Sequence, residues 1–162
     1  VQNQDFQDAA RTLRTRADFW SLRVVEERTQ THEVRNDIAQ PRRTDQDLGA
    51  MLTAWVGAGA GYAATSDLSA AGLQRALDNA TTRARASAEI SLIDHRSIKR
   101  PDKSGSYTSP NADHTLPSPK EWIERLALEC AAARIDSRIV ERIAKVSIIE
   151  AEQIYITSPL RH

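Results

Sequence analysis

The adjacent pair His32-Glu33 is the first place to look for chemistry. HExxH on a helix sets two imidazoles on one face for zinc and leaves the glutamate as a base. Position 36 is Asn36, and the longer word HExxxH would need histidine where Asp37 stands. The flanking residues alternate with a period of two, so His32, Val34 and Asn36 share a strand face instead of forming a helical chelate. His32 is therefore expected to be a sheet-surface histidine. The histidines at 32, 95, 114 and 162 and the lone cysteine, Cys130, sit in separate segments. None pairs with another at i, i+4 or short-loop spacing, so no metal site and no catalytic residue is expected in this chain.

Three further patterns could carry chemistry. Residues 57–61 read GAGAG, which invites a phosphate or dinucleotide role. The fingerprint G-x-G-x-x-G would need glycine where Tyr62 stands, no GK[ST] follows, and the next helix starts too late to aim its N-terminus at a phosphate. A structural turn is predicted, with Gly49, Gly57, Gly59, Gly61 and Asp67 as its framework. The second pattern is the basic set Arg42, Arg43, Arg83, Arg85, Arg96, Lys99, Arg100 and Lys103. Asp45, Asp47, Asp94 and Asp102 are interleaved and no aromatic stacking series accompanies it, which describes a solvated surface. Serine, histidine and aspartate also occur, without a G-x-S-x-G nucleophile elbow. Cys130 lies four residues after Leu126 and eight after Trp122, the spacing of a buried small apolar residue on a helix.

The elements that position these residues follow from periodicity. Phe6, Ala9, Ala10 and Leu13 mark a helix over about 4–16. Strands are predicted at Trp20–Val24, Thr31–Asn36 and Ile38–Thr44, with Asn36-Asp37 as a turn that tolerates positive φ and Pro41 confining the last strand to an edge or bulge. Leu52, Ala54 and Val56 alternate with Met51, Thr53 and Trp55, and Tyr62–Thr65 returns as a strand after the glycines. Asp67 or Ser69 can cap a helix whose stripe is Leu73, Ala76, Leu77, Ala80 and Ala84. Ser118-Pro119-Lys120-Glu121 is a capping-box helix start, and Trp122, Ile123, Leu126, Ala127 and Cys130 form its stripe. Residues 139–157 are rich in β-branched side chains and predict two strands. The fold class is α+β: a helix, a mainly antiparallel β-meander, a packing helix, then a helix followed by further strands. Residues 1–98 form a first unit, 99–117 a polar connector rich in proline and serine, and 118–162 a helix with the start of a second strand unit, packed with the first as one domain.

At 162 residues the chain can bury about 70% of its unfolded surface in one core. Its 22 basic and 22 acidic side chains cancel, which speaks against a nonspecific nucleic-acid binder. One cysteine forbids an internal disulfide and makes the cytoplasm the expected compartment. The N-terminus lacks the apolar core of a signal peptide, and no run reaches the ~18 apolar residues of a membrane span.

Residues 47–86 carry more than local structure. Gly49, Gly57, Gly61, Ala63, Thr65, Ser66, Asp67, Leu68, Leu73 and Ala76, preceded by Glu33–Asn36 before a hairpin turn, resemble in order the N-terminal domain of the TldD/PmbA family, also called modulators of DNA gyrase. The resemblance covers residues 5–90 best. It implies a cytoplasmic zinc metallopeptidase that works as a homo- or heterodimer on peptides or unfolded chains, with its HExxxH ligands outside the residues in hand. The chain itself would then be a non-catalytic scaffold that walls the substrate chamber and holds no cofactor, either a truncation, which its ending in mid-pattern for a strand favours, or a family member that has lost catalysis. The rival readings are a regulatory or nucleic-acid-associated binding domain, which a salt-dependent DNA shift would support, and an autonomous peptide-binding module, which needs an exposed sheet edge or groove.

Overall fold

The computed structural model describes residues 3–94, 97–98, 104–110 and 112–158. The first helix, α1 (Asn3–Thr12), is shorter than its periodicity predicts. It stops because the next backbone groups have other partners: the N–H of Arg14 donates to Oε1 of Gln74 at 2.9 Å, and Nε2 of Gln74 donates back to the Arg14 carbonyl at 2.8 Å. One side chain thus satisfies the loop as a neighbouring strand would.

Strand β1 (Phe19–Arg35) is one 17-residue strand where two shorter ones were predicted. The polar run between the apolar ends holds no breaker, and ladder pairing overrides its modest strand propensity. It turns through Asn36 and Asp37, at φ 48° and 65°, into β2 (Ile38–Ala39), with Val34 opposite Ala39 and Arg35 opposite Ile38. Two successive left-handed residues make the type I′ geometry that matches strand twist. The strand predicted over 38–44 is broken: residues 40–42 separate β2 from β3 (Arg43–Val56), because Pro41 has no N–H to give a ladder. Strand β4 (Gly59–Thr65) pairs antiparallel with β3 from Val56 opposite Gly59 to Ala50 opposite Thr65.

Helix α2 (Ala70–Ser87) starts at Ser69, whose Oγ accepts from the N–H of Gly72 at 3.1 Å. Helix α3 (Pro119–Ala132) has the full capping box: Glu121 N–H donates to Ser118 Oγ, and the Ser118 N–H donates to the Glu121 carboxylate at 2.7 Å. The bond from the Ser118 N–H, then the Ser118 hydroxyl, holds the Glu121 carboxyl below the usual carboxylate range. Ser118→Ala should destabilise the helix by about 1 kcal/mol. Loss of ellipticity and a lower unfolding midpoint in urea would register it, and an unchanged midpoint would contradict the cap.

Residues 139–157 form one strand, β5 (Ile143–Thr157), and not two. The β-branched density gives the strand state, but its middle, Glu150-Ala151-Glu152, carries no glycine or proline that could make a turn. The five strands form one sheet of order β2-β1-β3-β4, with β5 also pairing with β1, so the α+β class is as predicted.

Two compact units result. One comprises Val1–Glu26, Asp47–Ser104 and Ala151–His162; the other comprises Glu27–Gln46 and Gly105–Glu150. The first is built on Leu22, Val24, Leu52, Ala54, Leu73, Leu77, Ala80 and Ala84, all essentially inaccessible, with Ile154 and Ile156 packed against them. Each buried leucine contributes about 2 kcal/mol by area. The second has a smaller core of Val34, Leu126 and Cys130, joined by Ile123, Ala144 and Val146. Cys130 is buried and free, as its place on the helix stripe predicts.

Candidate functional site

The glycine segment is a seam between a strand and a helix. On α2, Ala76, Ala80 and Ala84 present a face without bulk, so β4 can lie directly against the helix backbone. A Cβ at Gly61 would overlap the Ala80 carbonyl and the Ala84 nitrogen and lie 2.8 Å from Cβ of Arg83. At Gly59 it would overlap the Ala84 carbonyl and lie 2.6 Å from the Ala88 nitrogen. The helix also reaches over the edge of β4: Nη1 of Arg83 donates to the Tyr62 carbonyl and Oγ of Ser87 to the Ala60 carbonyl, both at 2.8 Å. At the end of the sheet order such carbonyls would otherwise invite another strand.

The remaining residues of the framework have distinct places. Gly57 sits at φ 57° as the first of the two loop residues between β3 and β4, the position that type II′ hairpins give to glycine. Its N–H donates to Oδ2 of Asp18 at 2.7 Å, so that amide is already engaged and not turned to an anion. Gly49 lies in β3, where a Cβ would meet only the Thr65 carbonyl at 3.5 Å, an ordinary contact. Asp67 accepts from Oγ and N–H of Ser69 at 2.6 and 3.1 Å and from Nη2 of Arg75 at 2.6 Å. The Ser69 bonds, more than the arginine, hold its carboxyl below the usual range. Gly72 is a residue that sequence reading missed, since a Cβ there would overlap the Asp67 carbonyl and carboxyl. Its signal was a glycine in the first turn of an otherwise alanine- and leucine-rich helix.

His32 differs from expectation. It is 2% exposed, so it is a buried histidine and not one on the sheet surface. Alternation correctly put it on the face of Val34, but that face is the one against which Leu126 and Cys130 pack. Which face of a strand is covered depends on elements remote in sequence. Among the described residues no three of His, Cys, Asp and Glu converge as a zinc ion would require. Of the basic set, Arg83 binds a carbonyl, Arg42 and Arg43 are exposed, and Arg96, Lys99, Arg100 and Lys103 lie outside the described residues, as do His95 and His162.

The second unit holds a charged clasp that the sequence did not disclose. Nη1 and Nη2 of Arg142 donate to the Asp37 carboxylate at 3.2 and 3.0 Å, Arg134 closes on the same carboxylate, and Nη1 of Arg142 also donates to the Cys130 carbonyl at 2.9 Å. Asn36 exchanges bonds with the Arg142 backbone, its N–H donating to the carbonyl and its Oδ1 accepting from the N–H, both at 2.9 Å. The Arg142 side chain is only 8% exposed. Its hydrogen bonds and its charge, then the charge of Arg134, hold Asp37 below the usual carboxylate range. The clasp also accounts for aspartate at a left-handed turn position that would favour glycine. Its chemistry is structural, fastening the β1–β2 turn to the end of α3 and the start of β5.

The arrangement defines an α+β module in which an antiparallel sheet is covered by an alanine-faced helix. Residues 20–87 match the family profile described as PmbA/TldA metallopeptidase domain 1, and that stretch belongs to the first domain of the PmbA/TldD family. Comparison with curated protein sequences gives no significant match. Among the solved structures that share the fold are the following three. TldE from Thermococcus kodakarensis is 15% identical with a TM-score of 0.57, covering 94% of this chain and 34% of its own. A proposed modulator of DNA gyrase from Bacteroides thetaiotaomicron is 15% identical with a TM-score of 0.60, covering 96% and 35%. Another from Thermotoga maritima is 11% identical with a TM-score of 0.54, covering 86% and 31%. The chain thus spans about a third of the length of the solved structures it matches. No helix among the described residues is long and apolar enough to cross a membrane.

Proposed function

We propose that this chain is the non-catalytic scaffold portion of a PmbA/TldD-like metallopeptidase. It would wall the chamber that receives a peptide or unfolded chain and form part of a homo- or heterodimer contact, with the zinc ligands of such an enzyme supplied from outside these 162 residues. A cytoplasmic setting goes with this reading. The observation that carries it is the match of residues 20–87 to the family's first domain, on a fold shared with solved structures about three times as long.

The site geometry supports a supporting role. The Gly59–Gly61 seam packs a strand against a helix backbone and the Asp37 clasp ties a carboxylate to two guanidiniums, and neither offers an activated nucleophile or base. Met51 and Tyr62 stay 38% and 66% exposed, and the register of β3 with β4 sets them on one sheet face, which leaves apolar surface for a wall or a subunit contact.

The test is a digestion assay. Incubated with unfolded casein and with short peptides in the presence of zinc, the purified 162-residue chain should give no cleavage above the buffer rate. Chelator-sensitive cleavage that tracks with the chain through purification would overturn the scaffold reading.

A further inference from the structure

A groove in the first unit is basic without any role in the reading above. It has a volume of about 390 Å³ and is lined by Arg14, Thr15, Arg16, Asp78, Thr81, Thr82 and Arg85. Its wall is built and not merely collected. The loop after α1 is pinned to α2 by the Gln74 amide on both backbone groups of Arg14, and Oγ1 of Thr15 lies 3.1 Å from Oγ1 of the buried Thr81.

The hydrogen-bond inventory shows which groups remain for a ligand. Thr81 donates to the Leu77 carbonyl at 2.8 Å, so Thr15 is the donor in their shared bond, and Thr82 donates to the Asp78 carbonyl at 2.9 Å. The hydroxyl protons are therefore engaged. Nη1 of Arg14 donates to the carbonyls of Arg11 and Leu13 at 2.8 and 3.0 Å. Asp78, the one carboxylate lining the groove, accepts from Nε2 of Gln74 at 2.9 Å. Arg16 and Arg85 form no ion pair among the described residues. Three guanidiniums against one carboxylate leave a local excess of two positive charges on a chain whose formal net charge is zero.

We propose that this groove binds an oxyanion group, a carboxylate or a phosphate, through the guanidiniums of Arg16 and Arg85. A planar guanidinium presents paired N–H donors that match the two oxygens of either group, and a charge-assisted bond of that kind is about twice as strong as a neutral one. The excess charge favours an anion over a neutral ligand, and the engaged hydroxyls make the arginines the discriminating contacts. The group could belong to a free phosphate or to the C-terminal carboxylate of a peptide.

Amide NMR titrations at fixed ionic strength separate these sources. The probes are inorganic phosphate, trialanine with a free C-terminus, and trialanine amide. Saturable shifts confined to residues 14–16 and 78–85 are expected with phosphate, with free trialanine, or with both, and none with the amide. The double variant Arg16→Gln, Arg85→Gln should weaken binding about tenfold or more. Arg43→Gln, an exposed arginine in the other unit, should leave it unchanged. Both arginines are exposed, so unaltered resonances elsewhere will report that the fold survives. No saturable shift with either anion, equal binding of the amide, or full binding by the double variant would overturn the site. A response to phosphate alone or to free trialanine alone upholds it and names the source.

Discussion

Gly61→Ala should destabilise the first unit by about 3 kcal/mol, the upper end of what overpacking causes. The added methyl group has nowhere to go, because its neighbours are the backbone at Ala80 and Ala84 and not the ends of flexible side chains. Relief requires β4 to lift from α2, which would also stretch the bonds from Arg83 and Ser87 to the strand carbonyls. Gly57→Ala is the informative contrast. A Cβ there meets nothing within 4 Å, and only the φ of 57° opposes it, so about 1 kcal/mol is expected. Urea unfolding of the two variants should give midpoints in that order. Equal midpoints would mean that the seam is loose and the glycines serve the turn alone.

The second large effect is expected at Arg142. Replacement by leucine removes the donor to the Cys130 carbonyl and the packing of a side chain that is 8% exposed, a loss of about 2 kcal/mol. It also removes the principal partner of Asp37. A carboxyl held low in the folded state contributes stability that is present above its unfolded pKa of about 4 and is lost as pH falls through the folded value. The gap between the parent chain and Arg142→Leu should accordingly be constant from neutral pH down to about 5 and narrow on further acidification. Asp37→Gly should be milder than Arg142→Leu, since glycine relaxes the left-handed turn while the ion pairs are lost. Thermal unfolding from pH 3 to pH 7 checks both statements, and a gap independent of pH would remove Asp37 from the account.

What the residues disclosed in advance was chiefly local. Asn36-Asp37, Gly57, Ser69 and Ser118 each act through their own backbone or that of the next few residues, so their types foretell the two hairpins and the two caps. Cys130 follows from its place on a helical stripe. Nonlocal pairing was hidden. Nothing near residue 25 shows that β1 continues through it, nor does the period of two around His32 say which face α3 will cover. Asp37 meets Arg142 across 105 positions, a distance over which spacing carries no information. The same limit applies to the groove, whose arginines come from a loop and a helix more than sixty residues apart.

The central proposal is that these residues support a metallopeptidase without holding its metal. Zinc content of the purified chain, measured by atomic emission after incubation with excess zinc and removal of the unbound ion, tests it most directly. The account predicts far less than one zinc per chain and an unfolding temperature that a chelator leaves unchanged, since the described His, Cys, Asp and Glu residues do not converge on a common point. One tightly held zinc per chain, with an unfolding temperature that drops when a chelator strips it, would contradict the account.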